Sequence, residues 1–338
     1  MPLSSVVHRP LSKEPNMSSS LGWGIIGCGD VVERKSGPSI AQAPRSRIVA
    51  MMRRDLGKAR AMARQFGAPV ATDDARAVIE HPDVDIVYVS TPPGSHLEYA
   101  VAAARAGKHV LVEKPMALSA AQGREMIAAA RAGGVRLFVA YYRRFHDHIR
   151  HLRDQIAAGR IGRPVQAFID LAKRPTLDPT RGWMLDPARS GGGIFVDVGV
   201  HRIDALVFVL GAVESSCGVR SVFDADSRVE QAVTLAVRFH SGAQAAITGD
   251  FHSGRKVDSF AIHGTEGAIV LENFDSRQGL IRAGATEERF AFPAPAGTHL
   301  GQVRHIESVL LDGAAPESTG EDGLITEEIL DRGVRAQQ

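Results

Sequence analysis

LGWGIIGCGDVV, residues 21–32, is the stretch whose reading decides the fold. An apolar run ending at Ile26 meets Gly27-Cys28-Gly29 and passes into Asp30, Val31 and Val32. A nucleotide pyrophosphate needs a tight strand-to-helix turn whose backbone it can approach closely, at a helix N-terminus that favours negative charge, and two glycines at the turn supply this. The third position of such a loop serves helix-to-strand packing, so Val32 is a tolerable departure from Gly or Ala. A lone GxG is weak evidence, and its weight comes from the chain around it.

Apolar runs recur at 23–26, 47–52, 85–90, 109–113 and 135–140, and between them 56–66, 74–81, 95–107 and 118–132 carry apolar positions at helical spacing. That alternation predicts βα units on a doubly wound parallel sheet, a Rossmann domain over 21–145. Gly37-Pro38 interrupts 30–43 and predicts a first helix broken into two short pieces. From 146 to 338 the texture changes. After a helix at 147–159 come β-like runs at 164–172, 230–240, 243–251, 257–263 and 267–273, with turn signals such as Ser241-Gly242 that imply antiparallel pairing. One long apolar helix is expected at 194–210 and a last helix near 321–333. Residues 1–20 read as a flexible tail, and Met17 before three serines as an alternative start.

Two domains suit 338 residues at ~150 per domain. Lys and Arg number 40 against 38 Asp and Glu, so the charge excess of a nucleic-acid binder is missing. Two cysteines, Cys28 and Cys217, are too few for a disulfide framework and point to a reducing, cytoplasmic setting. No apolar run approaches the ~18 residues of a membrane span. His146, His148 and His151 invite a metal reading, but their offsets differ from the i, i+4 pair of a helical zinc site, and a solvated face is expected with no metal.

Further segments stand out: STPPGSH at 90–96, VEKPMAL at 112–118, AYYRRF at 140–145, Trp183 with SGGG at 190–193, DVGVH at 197–201 and HGTEGAIVL at 263–271. With the glycine loop, they resemble in order the oxidoreductase family of glucose-fructose oxidoreductase, inositol 2-dehydrogenase and the MocA proteins. The resemblance implies a C-terminal α/β domain with a large, mainly antiparallel sheet that supports oligomerisation. It also implies a nicotinamide cofactor and a polyol, sugar or cyclic alcohol as substrate. By it, Glu113-Lys114-Pro115 places Lys114 beside the nicotinamide and the reacting hydroxyl after a commonly cis peptide bond. Thr91, Pro92 and His96 line the nicotinamide side, and Tyr142, Arg143 and Trp183 edge the substrate pocket. Tyr142 departs from the Asn often found in sugar-oxidising relatives, and a salt bridge across the domain junction would explain Arg143 equally well.

Asp197 and His201 lie one helical turn apart on an apolar helix, where titratable groups must find partners or face a cleft. The preceding Gly191-Gly192-Gly193 lets backbone come close to a ligand. An imidazole with an ordinary pKa of about 6.5 suits His201 to take the hydroxyl proton in oxidation and return it in reduction. Lys114 would stabilise developing negative charge, and Asp197 would orient the hydroxyl or tune the histidine.

The second strand runs into Arg53-Arg54, where an NAD-selective domain carries an acid for the ribose hydroxyls. An Arg there offers a planar fork for a 2′-phosphate, so NADP is favoured, with NAD as the other choice. Runs 230–240 and 257–263 carry apolar residues on both alternating sets, which predicts a homo-oligomer through the C-terminal sheet. The same residues leave open a cofactor-binding sensor without turnover and an NAD-dependent glycosidase on this scaffold.

Overall fold

β1 (Leu21–Ile26), β2 (Ser46–Met52), β3 (Val70–Thr72), β4 (Ile86–Val89), β5 (His109–Val112) and β6 (Leu137–Val139) form a parallel sheet in the order β3-β2-β1-β4-β5-β6. The computed structural model describes residues 20–174 and 179–335, so the expected N-terminal tail lies outside the described residues apart from Ser20. Every residue of β1 and β4 is buried, as a sheet covered on both faces requires. All five expected strands are present. The sixth, β3, is a three-residue edge strand without a buried position, too short to leave a periodic signal.

The connecting helices are α1 (Gly37–Gln42), α2 (Leu56–Phe66), α3 (Ala75–Ile79), α4 (His96–Arg105) and α5 (Ala120–Ala132). The first helix is broken as expected: a π-helical turn, Val32–Ser36, leads into α1, whose first turn holds Pro38. Asp55, just past the paired arginines, accepts the Lys58 N–H at 3.0 Å and caps α2.

After α6 (Asp147–Ala157) the second sheet assembles from β7 (Pro164–Lys173), β8 (Val213–Ser221), β9 (Ala232–Phe239), β10 (Gln244–Asp250), β11 (Lys256–Gly264), β12 (Gly267–Leu271), β13 (Gln278–Ala283) and β14 (Thr286–Ala291). Its order is β14-β13-β12-β11-β7-β10-β9-β8. Pairing is antiparallel, as the hairpin turns imply, except between β7 and β10, which run parallel, so the sheet is mainly antiparallel as expected. β8, β13 and β14 were not legible in the sequence; β8 and β14 bury no residue, so no alternation of apolar side chains marks them.

The apolar residues expected on both faces of 230–240 also need correction. β9 buries Val233, Leu235, Val237 and Phe239 and exposes Thr234, Ala236 and Arg238, so its outward set is small or polar. One row of the outward face is nevertheless apolar. Cys217, Ala236, Ala246, Phe168, Ala261 and Val270 pair in register across six strands, with Phe168 46% exposed.

The covered face holds α8 (Val200–Leu210), buried along most of its length, with α7 (Pro187–Ser190) preceding it in the chain. The helix expected at 194–210 is divided, because a π-helical turn, Phe195–Gly199, precedes α8. α9 (Leu300–Asp312) and α10 (Gly320–Leu330) then return to the first sheet. Leu300, Val303, Ile306 and Val309 share one core cluster with Trp23, Ile25 and Ile40, and α10 packs on α5 and β6. This return delivers the residues before α9 to the helix that follows the glycine loop.

Candidate active site

Lys114 leaves the C-terminal end of β5 one residue past Glu113, and the Lys114–Pro115 peptide bond is cis. Its ammonium donates to Asp197 Oδ1 at 2.7 Å and to the Asp197 carbonyl at 2.8 Å. Asp197 sits in the π-helical turn, where the wider winding presents carboxylate and carbonyl to one partner, and such turns concentrate at functional sites. The pair faces a cleft that Pro93, Trp183, Met184 and Gly193 also line. Lys114, Asp197 and Trp183 are therefore brought together around one cleft.

What holds Asp197 is a residue the sequence did not advertise. Glu230, buried, accepts the N–H of Gly193 at 2.6 Å and of Val196 at 3.2 Å, anchoring the glycine loop and the first turn after it. Burial raises its pKa against these bonds. Gly192 answers to this packing. At Gly192 φ is +154°, and a Cβ would lie 2.3 Å from Val196 Cγ2.

His201 is 4% exposed, and its Nδ1 is enclosed without a hydrogen-bond partner among the described residues. Burial pushes its pKa well below the ordinary histidine range, and Arg143, Lys114, Arg202 and Lys35 add to that push. The imidazole is therefore neutral at physiological pH. The Tyr142 ring lies 5.1 Å from it and 4.1 Å from that of His299. Tyr142 and His201 are both buried, neither is among the residues lining that cleft, and the Tyr142 hydroxyl accepts from Arg143 Nη1 at 3.0 Å. Arg143 is committed to Asp275, to which it donates at 2.9 and 3.1 Å, so the salt-bridge reading describes it.

Around the glycine loop the residues fit a dinucleotide. Gly27, at φ +93°, has the end of β4 so close that a Cβ would lie 2.7 Å from Thr91 Cγ2. Above Gly29 the space is open: a Cβ there would have only Gly27 O as a neighbour, at 3.9 Å. Val32 is fully buried in the core, as the third position requires. Asp30 and Val31 begin the helical stretch that follows. Cys28 contributes main chain alone, because its thiol is buried in the core, where desolvation pushes it up to about 12. Arg53 Nη1 donates to the Cys28 carbonyl at 2.8 Å, laying the guanidinium against the loop, while Arg54 is exposed. Ser95 Oγ donates to Thr91 Oγ1 at 2.7 Å and steadies the Thr91-Pro92 turn.

Two histidine expectations change. His96 is fully buried, with Nε2 2.8 Å from the Thr91 carbonyl and Nδ1 3.1 and 3.2 Å from the carbonyls of Pro115 and Met116. It ties the Thr91 and Lys114 turns together from beneath instead of lining a cofactor surface. The His146, His148, His151 set is not a solvated face: His148 is buried, His146 Nε2 lies 3.1 Å from the Thr298 carbonyl, and His151 lies against Phe290 and Phe292. Among the described residues no helix is long and apolar enough to cross a membrane. The site residues that sequence reading missed, Glu230, Asp275 and His299, act across long sequence separations, and no local spacing marks them.

Comparison with known proteins agrees with this architecture. A family model described as "Oxidoreductase family, NAD-binding Rossmann fold" matches residues 21–141, and one described as "GFO/IDH/MocA C-terminal domain" matches 149–270. The chain is 34% identical over 314 residues to 1,5-anhydro-D-fructose reductase of Ensifer adhaerens, covering 89% of this chain and 92% of that one. It is 31% identical over 248 residues to D-glucoside 3-dehydrogenase of Escherichia coli, covering 68% and 70%. Aldose-aldose oxidoreductase of Caulobacter crescentus, solved with glycerol, superposes with a TM-score of 0.85 at 27% identity, covering 94% and 98%. The chain belongs to the GFO/IDH/MocA family of oxidoreductases, dehydrogenases and reductases with an NAD-binding Rossmann fold.

Proposed function

We propose that this protein transfers a hydride between a nicotinamide cofactor and a polyol, sugar or cyclic alcohol, or the matching carbonyl compound, with NADP preferred. The observation that carries the reading is the Lys114–Asp197 pair at the end of β5, facing a cleft with Trp183. Relatives named for an anhydro-ketosugar and a glucoside support that substrate class.

The nicotinamide supplies the hydride acceptor in oxidation and the donor in reduction. Lys114, held by Asp197, donates a hydrogen bond to the substrate oxygen and stabilises the negative charge that grows on it. His201 takes the hydroxyl proton in oxidation, and its depressed pKa keeps it unprotonated and ready to do so. Gly27, Gly29, Asp30 and Val31 would hold the pyrophosphate, and Thr91 and Pro92 the nicotinamide side of the cofactor. Arg53, bonded to the Cys28 carbonyl, offers its remaining donors to a 2′-phosphate, and Asp55 is occupied in capping α2. The apolar row around Phe168 on the second sheet serves as contact between copies of the chain, and light scattering at micromolar concentration should show at least a dimer.

The test is a panel of inositols, aldoses, 1,2-diols and their carbonyl counterparts with NADP and NAD, followed by nicotinamide absorbance. Turnover of a cyclic sugar with higher kcat/KM for NADP is expected. No turnover with any member, although the cofactor binds, would leave a sensor as the better description.

A further inference from the structure

Behind the cleft lies a buried layer of groups that the mechanism above does not use. His299 stands at the N-terminal edge of α9 with its side chain 2% exposed. Its main-chain N–H donates to Ser39 Oγ at 3.1 Å, and Ser39 donates to the Lys35 carbonyl at 2.7 Å, which seats His299 on the helix after the glycine loop. On one side, His299 Nε2 lies 3.7 Å from Glu113 Oε1. On the other, its ring lies 4.1 Å from that of Tyr142. Glu113 accepts the main-chain N–H of Lys114 at 3.2 Å, and Tyr142 borders His201 at 5.1 Å.

We propose that His299 is a positioning residue shared by the two acid–base groups: through the Glu113 carboxylate it fixes the turn that carries Lys114, and through the Tyr142 ring it fixes His201. The proposal rests on the roles given above to Lys114 and His201.

A buried carboxylate persists only where donors and positive charge meet it. Burial would raise the pKa of Glu113, yet His299, Lys114 and the Tyr88 hydroxyl, which donates at 2.5 Å, bring it down to about 2. The groups facing Glu113 are Tyr88 from β4, His96 from α4, Lys114 from its own turn and His299 from the C-terminal segment. Those facing His299 are Glu113, Lys35 and Arg143, together with the Tyr142 ring. Neither ring nitrogen of His299 has a hydrogen-bond partner among the described residues, so the Glu113 contact is its main polar attachment.

Two substitutions separate its two contacts. His299→Phe keeps a flat ring on Tyr142 and removes both nitrogens. His299→Gln keeps an N–H donor toward Glu113 and removes the ring. In the first variant Glu113 loses its imidazole neighbour but keeps Lys114 and Tyr88, so its pKa rises from the depressed wild-type value. On the acid side kcat should therefore begin to fall at a higher pH than in the wild type, while cofactor Kd stays unchanged. His299→Gln should keep the wild-type shape with kcat about tenfold lower, the scale of a modest misplacement of catalytic groups.

A readout independent of substrate is mass-spectrometric mapping of the rate of Lys114 acylation at one fixed pH in the cofactor-bound protein. Because Glu113 holds the main-chain N–H of Lys114, loosening Glu113 should free that turn and speed labelling in His299→Phe, and leave the rate in place in His299→Gln. If His299→Phe does not fold, Glu113→Gln should produce the same change. Variants that lower the melting temperature but keep the wild-type kcat profile and labelling rate would overturn the proposal. If no sugar turns over, the proposed function fails, and the labelling rates still decide the role of His299.

Discussion

Gly27-Cys28-Gly29 and Gly191-Gly192-Gly193 look alike in the chain, each a short glycine run leading into a π-helical turn and then an α-helix. In the first, Gly29 opens onto empty space and Arg53 closes over the Cys28 carbonyl, so the backbone is laid out for something to rest on it. In the second, the space a Cβ would need is already filled by Val196 and Glu230, so the glycines let the protein close on itself. The same residue type serves binding in one loop and the geometry of Asp197 in the other. The two loops should therefore fail differently: damage to the first should appear in cofactor affinity, damage to the second in turnover.

The largest effect is expected where the second loop ends. Lys114→Ala and His201→Ala should each lower kcat by roughly 10²–10⁴-fold, the range for a positioned acid–base group, with cofactor Kd nearly unchanged by fluorescence titration. Near-normal turnover in either variant would remove that residue from its role. Gly192→Ala should push Val196 and the π-helical turn aside and lower kcat by ~10²-fold, as a misplacement of about 1 Å does. Gly29→Ala is the mirror experiment. Its Cβ has room in the folded chain, so the melting temperature should hold while cofactor affinity falls, and an unchanged Kd would show that the first loop does not carry the pyrophosphate.

Cofactor choice sharpens the contrast further. Arg53→Asp should reverse the preference from NADP to NAD, with a change of about 10–100-fold in the kcat/KM ratio, the worth of one or two charge-assisted hydrogen bonds. A wild-type preference for NAD would show that Arg53 serves only to brace the Cys28 carbonyl. The smallest effect is a flat line. With the His201 pKa held well below the ordinary range, the base stays unprotonated as pH falls through that range, so kcat for oxidation should not decline there. A decline with a midpoint near 6.5, the ordinary histidine value, would place His201 in a wetter environment than the one described.

The parts of this molecule legible in its sequence are those whose physics is local. The parallel sheet could be read because fully buried strands are continuous apolar runs, and the glycine loop because a strand, a turn and a helix follow within 12 residues, 21–32. Asp197 and Lys114 were legible as chemistry, although the π-helical winding that joins them has no sequence signal of its own. His96 was misplaced because a side chain beneath a loop and one above it have the same position in a motif. β8 and β14 escaped because an edge strand without a buried side has no alternation to show. Glu230, Asp275 and His299 reach Gly193, Arg143 and Glu113 across gaps of 37, 132 and 186 positions, distances at which only the folded chain brings groups together.

The most direct test of the account is isotopic. The cyclic ketosugar turned over best is incubated with NADPH deuterated at the transferring carbon of the nicotinamide, and the product is examined by NMR. The account predicts one deuterium on the new carbinol carbon, with the rate of its appearance reduced at least about 100-fold in Lys114→Ala, the lower end for loss of a positioned group. Deuterium that stays on the cofactor while the sugar is released unchanged, or transfer at the wild-type rate without Lys114, would contradict it.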